Sequence, residues 1–310
     1  MTDLVILIKS YRGDLEIAHR LLDSLLRYNS DSIPVHLVVP QSDIETFQAI
    51  SHASVQIFAD EQLQEHLVSA PFGEMTTGYI NQQIVKLAFW ELGLAENYLV
   101  LDSDVEMIRP FTKSEFLAPD GHPYSVLTQD KDMLADPYYF NEQWRTRETW
   151  INTIAQHLGY EGPWPVRTCH ANTVFNSHVL RALKDRILRP REWNYEDLLR
   201  EAPYEFSWYN VWLQVSQVIP VRPCEPWIKT FHTESEHLAF LASPIQLEDI
   251  KRAYSGISVQ SNFARHKDLP PTSATKEEFL GKYLSYGEYL RLGFAKARDT
   301  WTRLSRRSSR

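Results

Sequence analysis

The sequence predicts an α/β protein: a mixed, mainly parallel sheet flanked by helices, followed by a C-terminal helical extension. Three observations carry that expectation. Short, largely apolar runs recur at Leu4–Ile8, Val35–Val39, Val55–Phe58 and Tyr98–Leu101, the length of buried strands. Stretches with apolar residues at helical spacing separate them, and strand–helix alternation implies right-handed crossovers and parallel neighbours. With 310 residues, the chain can build one large domain or one domain with an appendage.

Taken in order, Leu4–Ile8 opens the chain as a strand. It runs into Lys9-Ser10-Tyr11-Arg12-Gly13-Asp14, where Asp14 is placed to cap a helix over Leu15–Tyr28 that carries Ile17, Leu21, Leu22, Leu25 and Leu26 on one face. Val35–Val39 is a second strand stopped by Pro40, with Ser42 or Asp43 starting the next helix, and Val55–Phe58 is a third. Ile80, Ile84, Leu87, Ala88 and Leu92 define a helix across Tyr79–Leu92, and the strand after it drives into Asp102-Ser103-Asp104 before the chain turns away at Arg109-Pro110. Tyr124–Leu127 reads as another strand. The stretch from Tyr138 to Trp150 is aromatic and charged without clear periodicity; it suits a loop that packs rings against a sugar, or core aromatics. Gly159–Pro165 is a break. Helices are expected near His178–Asp185 and Glu196–Glu201, and a late strand across Cys224–His232. Arg265–Thr275, with Pro270-Pro271, reads as a linker. Thr275 and Glu278 then form a capping box for one or two helices that end in a basic tail.

Composition excludes several classes. No apolar stretch reaches the length of a membrane span. The first ten residues lack a basic region and a small-residue cleavage site, and read as a strand, not a signal peptide. Cys169 and Cys224 are the only cysteines, which argues against a disulfide scaffold or thiolate zinc site and fits a reducing cytoplasm. Neither Gly-x-Gly-x-x-Gly nor a P-loop is present. The net charge of −8 makes wide nucleic-acid binding unfavourable. Residues 276–310 hold nine Lys or Arg against four acids, a surplus of five that leaves −13 on the residues before them. The picture is an acidic body with a basic tail. That tail can pack on the body, pair in a homodimer or lie on an anionic membrane surface.

The chemistry gathers at Asp102 and Asp104. If strand geometry persists, period two puts both carboxylates on one side, where a divalent cation between them relieves their repulsion. A turn in which both cap loop amides is the other reading. Ligands of parallel sheets bind at strand carboxyl ends, which is where these residues fall.

A helix bearing Gln82-Gln83-x-x-Lys86-Leu87, a hydrophobic strand and then Leu101-Asp102-Ser103-Asp104-Val105 resembles the core of GT-A fold (Rossmann-like) glycosyltransferases, in particular the family-eight-like branch and a related bacterial group. The resemblance implies a catalytic domain over residues 1–264, with 265–275 as linker and 276–310 as extension. It implies a nucleotide-sugar donor, a saccharide or glycolipid acceptor, and a role in bacterial surface polysaccharide synthesis, in the cytoplasm or peripheral at the inner membrane. Mn²⁺ or Mg²⁺ would sit on Asp102, Asp104 and a late histidine, His232, with His237 as alternative. Tyr11 and Asp14 would hold the nucleoside; Gln82, Lys86, Ser103 and Asn172 would line the rest of the donor site, although the glycine usual near Asn172 is absent. Glu205 or Asp130 would be the base if the reaction inverts; retention, which needs no such base, stays open. A metal-dependent phospho- or nucleotidyltransferase and a non-catalytic carbohydrate binder are the rival readings.

Overall fold

The computed structural model describes residues 2–129, 131–135, 140, 144–161, 171–231, 237, 240, 245–259 and 290. Its central sheet starts from β1 (Thr2–Lys9), whose Leu4–Ile8 core is fully buried. α1 (Leu15–Tyr28) follows over the residues that the periodicity marks, burying Ile17, Leu21, Leu22 and Leu25. β2 (Val35–Val39) is buried along its whole length. The helix expected to start at Ser42 or Asp43 is the short α2 (Ile44–Gln48), with Asp43 at its cap position after a 3-10 turn, Gln41–Asp43. β3 (Val55–Ala59) completes the first half.

α3 (Thr77–Ala88) is capped by Thr76, whose side chain accepts from the Tyr79 N–H, and a 3-10 turn extends it to Leu92. β4 (Ala95–Leu101) then runs through the middle of the sheet. Strand order is β3-β2-β1-β4-β7, where β7 is Val174–Asn176. β1, β2, β3 and β4 are mutually parallel and β7 is antiparallel to β4. The sheet is therefore mixed and mainly parallel, as the alternation requires. β6 (Ser125–Val126) is shorter than the strand expected there and pairs in parallel with β8 (Pro223–Cys224).

Of the aromatic stretch, Tyr138 and Tyr139 lie outside the described residues, and the part from Trp144 onward departs from expectation. α4 is a short turn of helix at Lys131–Ala135, and Arg145–Leu158 is a full helix, α5. Its buried residues Ile151, Ile154 and Leu158 recur at helical spacing, but most of that pattern lies beyond Trp150, so the aromatic part viewed alone hides it. Trp144 is 1% exposed and packs with Ile151; it is core, not a sugar-facing ring. α6 (Ser177–Leu183) starts from an Asn176 cap, α7 (Tyr195–Glu201) from an Asn194–Asp197 capping box, and α8 is Glu205–Ser216. One core unites alternate residues of the sheet (Val5, Leu7, Tyr98, Val100) with the buried faces of α3, α6, α7 and α8.

By contacts the chain forms two units, Met1–Ser103 with Pro110–Pro226 and Asp104–Arg109 with Trp227–Arg310. Within the second, β5 (Val105–Met107), β9 (Ile228–Phe231) and β10 (Gly256–Val259) make a small sheet in the order β5-β10-β9, and α9 (Leu247–Ile250) precedes β10. Gly256 is required there: a Cβ on it would lie 2.9 Å from the Glu106 carbonyl oxygen and 2.7 Å from Ile228. Sequence reading anticipated neither β5 nor β10. Both are too short to carry a pattern. The linker at 265–275 and the C-terminal helices lie outside the described residues, apart from Leu290.

Candidate functional site

Because β1 to β4 are parallel, the residues after each strand meet at one edge of the sheet. Those residues are Ser10 to Arg12, Gln41 to Asp43, Asp60 and Asp102. Two ion pairs, one buried and one with its arginine open to solvent, stitch this edge together. Lys9 Nζ lies 2.8 Å from Asp60 Oδ2. The Arg12 N–H and Nε both donate to Asp43 at 2.7 Å, and Arg12 also donates to the Ser42 carbonyl. Burial alone would raise the Asp43 pKa, but the Arg12 hydrogen bonds and charge outweigh it and lower the value. Asp43 thus stands at the cap position of α2 but spends its carboxylate as a clasp between two loops, with no capping hydrogen bond from its side chain.

Lys86 is the centre of the arrangement. It leaves the last turns of α3 with its side chain 3% exposed, and its ammonium donates to Asp102 Oδ1 at 2.7 Å and to Glu205 Oε1 at 2.8 Å. The Phe206 ring lies 4.7 Å below it. Burial alone would lower the Lys86 pKa; the charges of Asp102 and Glu205 win and raise it above the ordinary lysine value. Asp102 follows β4 with its side chain 24% exposed, and its N–H is held by Asn172 Oδ1 at 3.1 Å. Asn172 takes a left-handed backbone with φ of 69°, a conformation that asparagine tolerates better than most residues. Among the described residues, no hydrogen bond occupies Asp102 Oδ2 or Glu205 Oε2.

The remaining expected residues divide as follows. Tyr11 is 47% exposed at the tip of the first loop, its ring folded over Gly13 so closely that a Cβ there would sit 2.4 Å away. Asp14 occupies the cap position of α1 without a capping hydrogen bond from its side chain. Gln82 is half-buried. Its neighbour Gln83 is buried, with neither amide atom hydrogen-bonded among the described residues. Ser103 is buried, and its Oγ lies 3.1 Å from Ser10 Oγ, tying the Asp-Ser-Asp segment to the first loop. Asp104 belongs to the second unit, where its Oδ1 accepts from Ser258 Oγ at 2.9 Å. The alternative histidine, His237, packs its ring 5.1 Å from Phe231. Asp130 and His232 lie outside the described residues.

Sequence reading missed a corner beside Glu205. Arg147 Nε donates to Tyr204 Oη at 2.8 Å, and Trp150 packs on the Tyr204 ring with centroids 5.0 Å apart. Tyr79, in the first turn of α3, stands on the side of that helix that carries Lys86. Burial of its hydroxyl and then the Glu205 charge raise its pKa. No local signal marks these partners, because 57 residues separate Arg147 from Tyr204. Elsewhere, Glu65, His66 and Glu91 form an acidic and histidine group of the kind that can hold a metal. Glu91 there is already bonded to Lys184 and Tyr195.

A family of unknown function, DUF6492, matches residues 3–247. No curated protein matches the chain. Among solved structures, mouse xyloside xylosyltransferase 1 in its apo form aligns at 12% identity and a TM-score of 0.47, covering 84% of this chain and 99% of that one.

Proposed function

The chain belongs to the DUF6492 family, and from the Lys86–Asp102–Glu205 constellation we infer that it is a glycosyltransferase, moving a sugar from a nucleoside-diphosphate sugar to a hydroxyl acceptor. The observation that carries this reading is one buried ammonium holding two acids, one of them at a strand carboxyl end. Each acid keeps an oxygen for something else. Asp102 Oδ2 belongs to an all-oxygen segment, Asp102-Ser103-Asp104, whose chemistry suits Mg²⁺ or Mn²⁺. When bound, such a cation neutralises charge on a departing diphosphate. Lys86 orients Asp102 for that task and leaves Glu205 Oε2 to accept a proton from an acceptor hydroxyl. Tyr11, exposed on the first loop, offers a face on which a nucleobase can stack. The loop clasp by Asp43 and Asp60 keeps that surface in place.

The test is a thermal-shift screen of nucleotide sugars with and without Mn²⁺. At a hundred times Kd a bound donor stabilises the fold by about 2.7 kcal/mol. Wild type should be stabilised by at least one nucleotide sugar only when metal is present, and Asp102→Asn should lose that shift. Equal stabilisation of the variant, or no metal-dependent shift with any donor, would sink the reading. Product analysis separates the rival: a phosphotransferase acting on the same donor breaks the diphosphate bridge, releasing a nucleoside monophosphate and moving a sugar phosphate, where a glycosyltransferase breaks the bond at the sugar C1 and releases a nucleoside diphosphate.

A further inference from the structure

Four aromatic and cationic side chains around Glu205, namely Tyr79, Arg147, Trp150 and Tyr204, take no part in the chemistry above. Tyr79 lies seven residues before Lys86, so it falls on almost the same side of α3, about 10.5 Å up the helix axis. Lys86 is pinned to Glu205 at 2.8 Å, which fixes that side of α3 against the start of α8. Tyr79 is 46% exposed, one of the few large rings that the described residues leave open to solvent. Tyr204 immediately precedes Glu205 and is locked from two sides. Arg147 donates to its hydroxyl at 2.8 Å, and Trp150, one turn further along α5, packs on its ring. An exposed ring is thus held near a carboxylate, with a second, immobilised ring at the carboxylate's shoulder.

We propose that Tyr79 is the platform on which the ring of a saccharide acceptor packs its apolar face, while the Arg147–Tyr204–Trp150 corner fixes the edge of that platform next to Glu205. An aromatic face suits a pyranose because the ring's axial C–H bonds present an apolar surface while its hydroxyls point outward. A hydroxyl of the stacked sugar then reaches Glu205 Oε2. The coupling of the Tyr79 hydroxyl to Glu205, Tyr204 and Arg147 agrees with this placement. The sugar-facing ring is thereby placed on α3, while Trp150 of the aromatic stretch supports Tyr204. The inference rests on the glycosyltransferase reading and adds the acceptor class and the residue that selects it.

The experiment uses the full chain and two separate readouts. Metal-dependent thermal shift by nucleotide sugars reports the donor site. Saturation-transfer NMR with methyl β-glucopyranoside, methyl β-galactopyranoside and cellobiose as probes, and glycerol as a polyol without a ring, reports the acceptor site. Tyr79→Ala should weaken binding of the saccharide probes about tenfold, leave the donor shift unchanged, and leave glycerol as weak as in wild type. Tyr79→Phe should stay within about twofold of wild type, because the ring face is kept. A Tyr79→Ala protein that keeps its donor shift and binds the saccharides like wild type overturns the inference. So does a wild-type protein that binds a nucleotide sugar but none of the saccharides. Absence of any donor shift instead overturns the transferase reading on which the inference stands.

Discussion

Lys86 is charged, buried and doubly paired, and each of these facts has a cost or a gain. Burying three charges is expensive, and the short bonds to Asp102 and Glu205 offset that expense only while all three are present. Lys86→Met would leave two carboxylates together without a counter-charge. The expected loss is about 3–5 kcal/mol in urea unfolding, relieved in part by Lys86→Met with Glu205→Gln. A single variant within about 0.5 kcal/mol of wild type would show that the pair is not coupled. The sign with pH follows from the raised Lys86 pKa. Its stabilisation is fully present below the unfolded lysine value and is lost as pH rises from there through the folded one, so neutral pH keeps it intact. Asn172 shows the same economy: a left-handed residue with a side-chain acceptor does what a glycine there could not, because glycine has no side-chain oxygen for the Asp102 N–H.

Among the elements, the junction of β7 and α6 depends most on one residue. Asn176 Oδ1 caps α6 by accepting from the His178 and Val179 N–H groups, while its Nδ2 donates to Asn97 Oδ1 on β4 at 2.8 Å. Asn97 in turn donates to the Asp3 and Gly121 carbonyls. One buried amide therefore starts a helix and fastens an antiparallel strand to a parallel sheet. Asn176→Ala removes a cap worth about 1 kcal/mol and strands the buried Asn97 oxygen at about 1–3 more. We expect a combined loss of about 2–4 kcal/mol by chemical denaturation, well above that of the solvent-facing cap variant Asn194→Ala. Equal losses for the two would show that the link to Asn97 contributes nothing.

At the scale of the molecule, Glu91 joins parts that are far apart in sequence. It follows α3, contacts His66 after β3, bonds Lys184 after α6 and accepts from the Tyr195 hydroxyl at the start of α7. Burial raises its pKa, but the hydrogen bonds from His66, Lys184 and Tyr195 prevail and bring it down to about 2 from 4.5. A depressed carboxyl stabilises the fold above its unfolded pKa and loses that contribution as pH falls through the folded one. Between about pH 4.5 and 2, the wild type should lose on the order of 2–3 kcal/mol through this group, after allowance for its partial solvent contact. Glu91→Gln should be less stable at pH 7 and show a flatter acid limb. An acid limb as steep as that of wild type would mean that other carboxylates drive the transition.

What the chain determines locally could be read from it directly. The apolar period of two or 3.6 decides which way each side chain must face, so α1, β2, β3, α3 and β4 fall where the pattern puts them, and Asp102 must end a central strand. The helix α5 is less legible because its apolar signal, Ile151 to Leu158, lies past the aromatic stretch. Charge pairing has no such period. Lys86 meets Glu205 across 119 residues and Arg12 meets Asp43 across 31, and either acid would read the same in a solvated loop. Only the tertiary fold, by leaving each cation with the carboxylates within reach and drying the Lys86 pair, decides which of the many possible pairs exists.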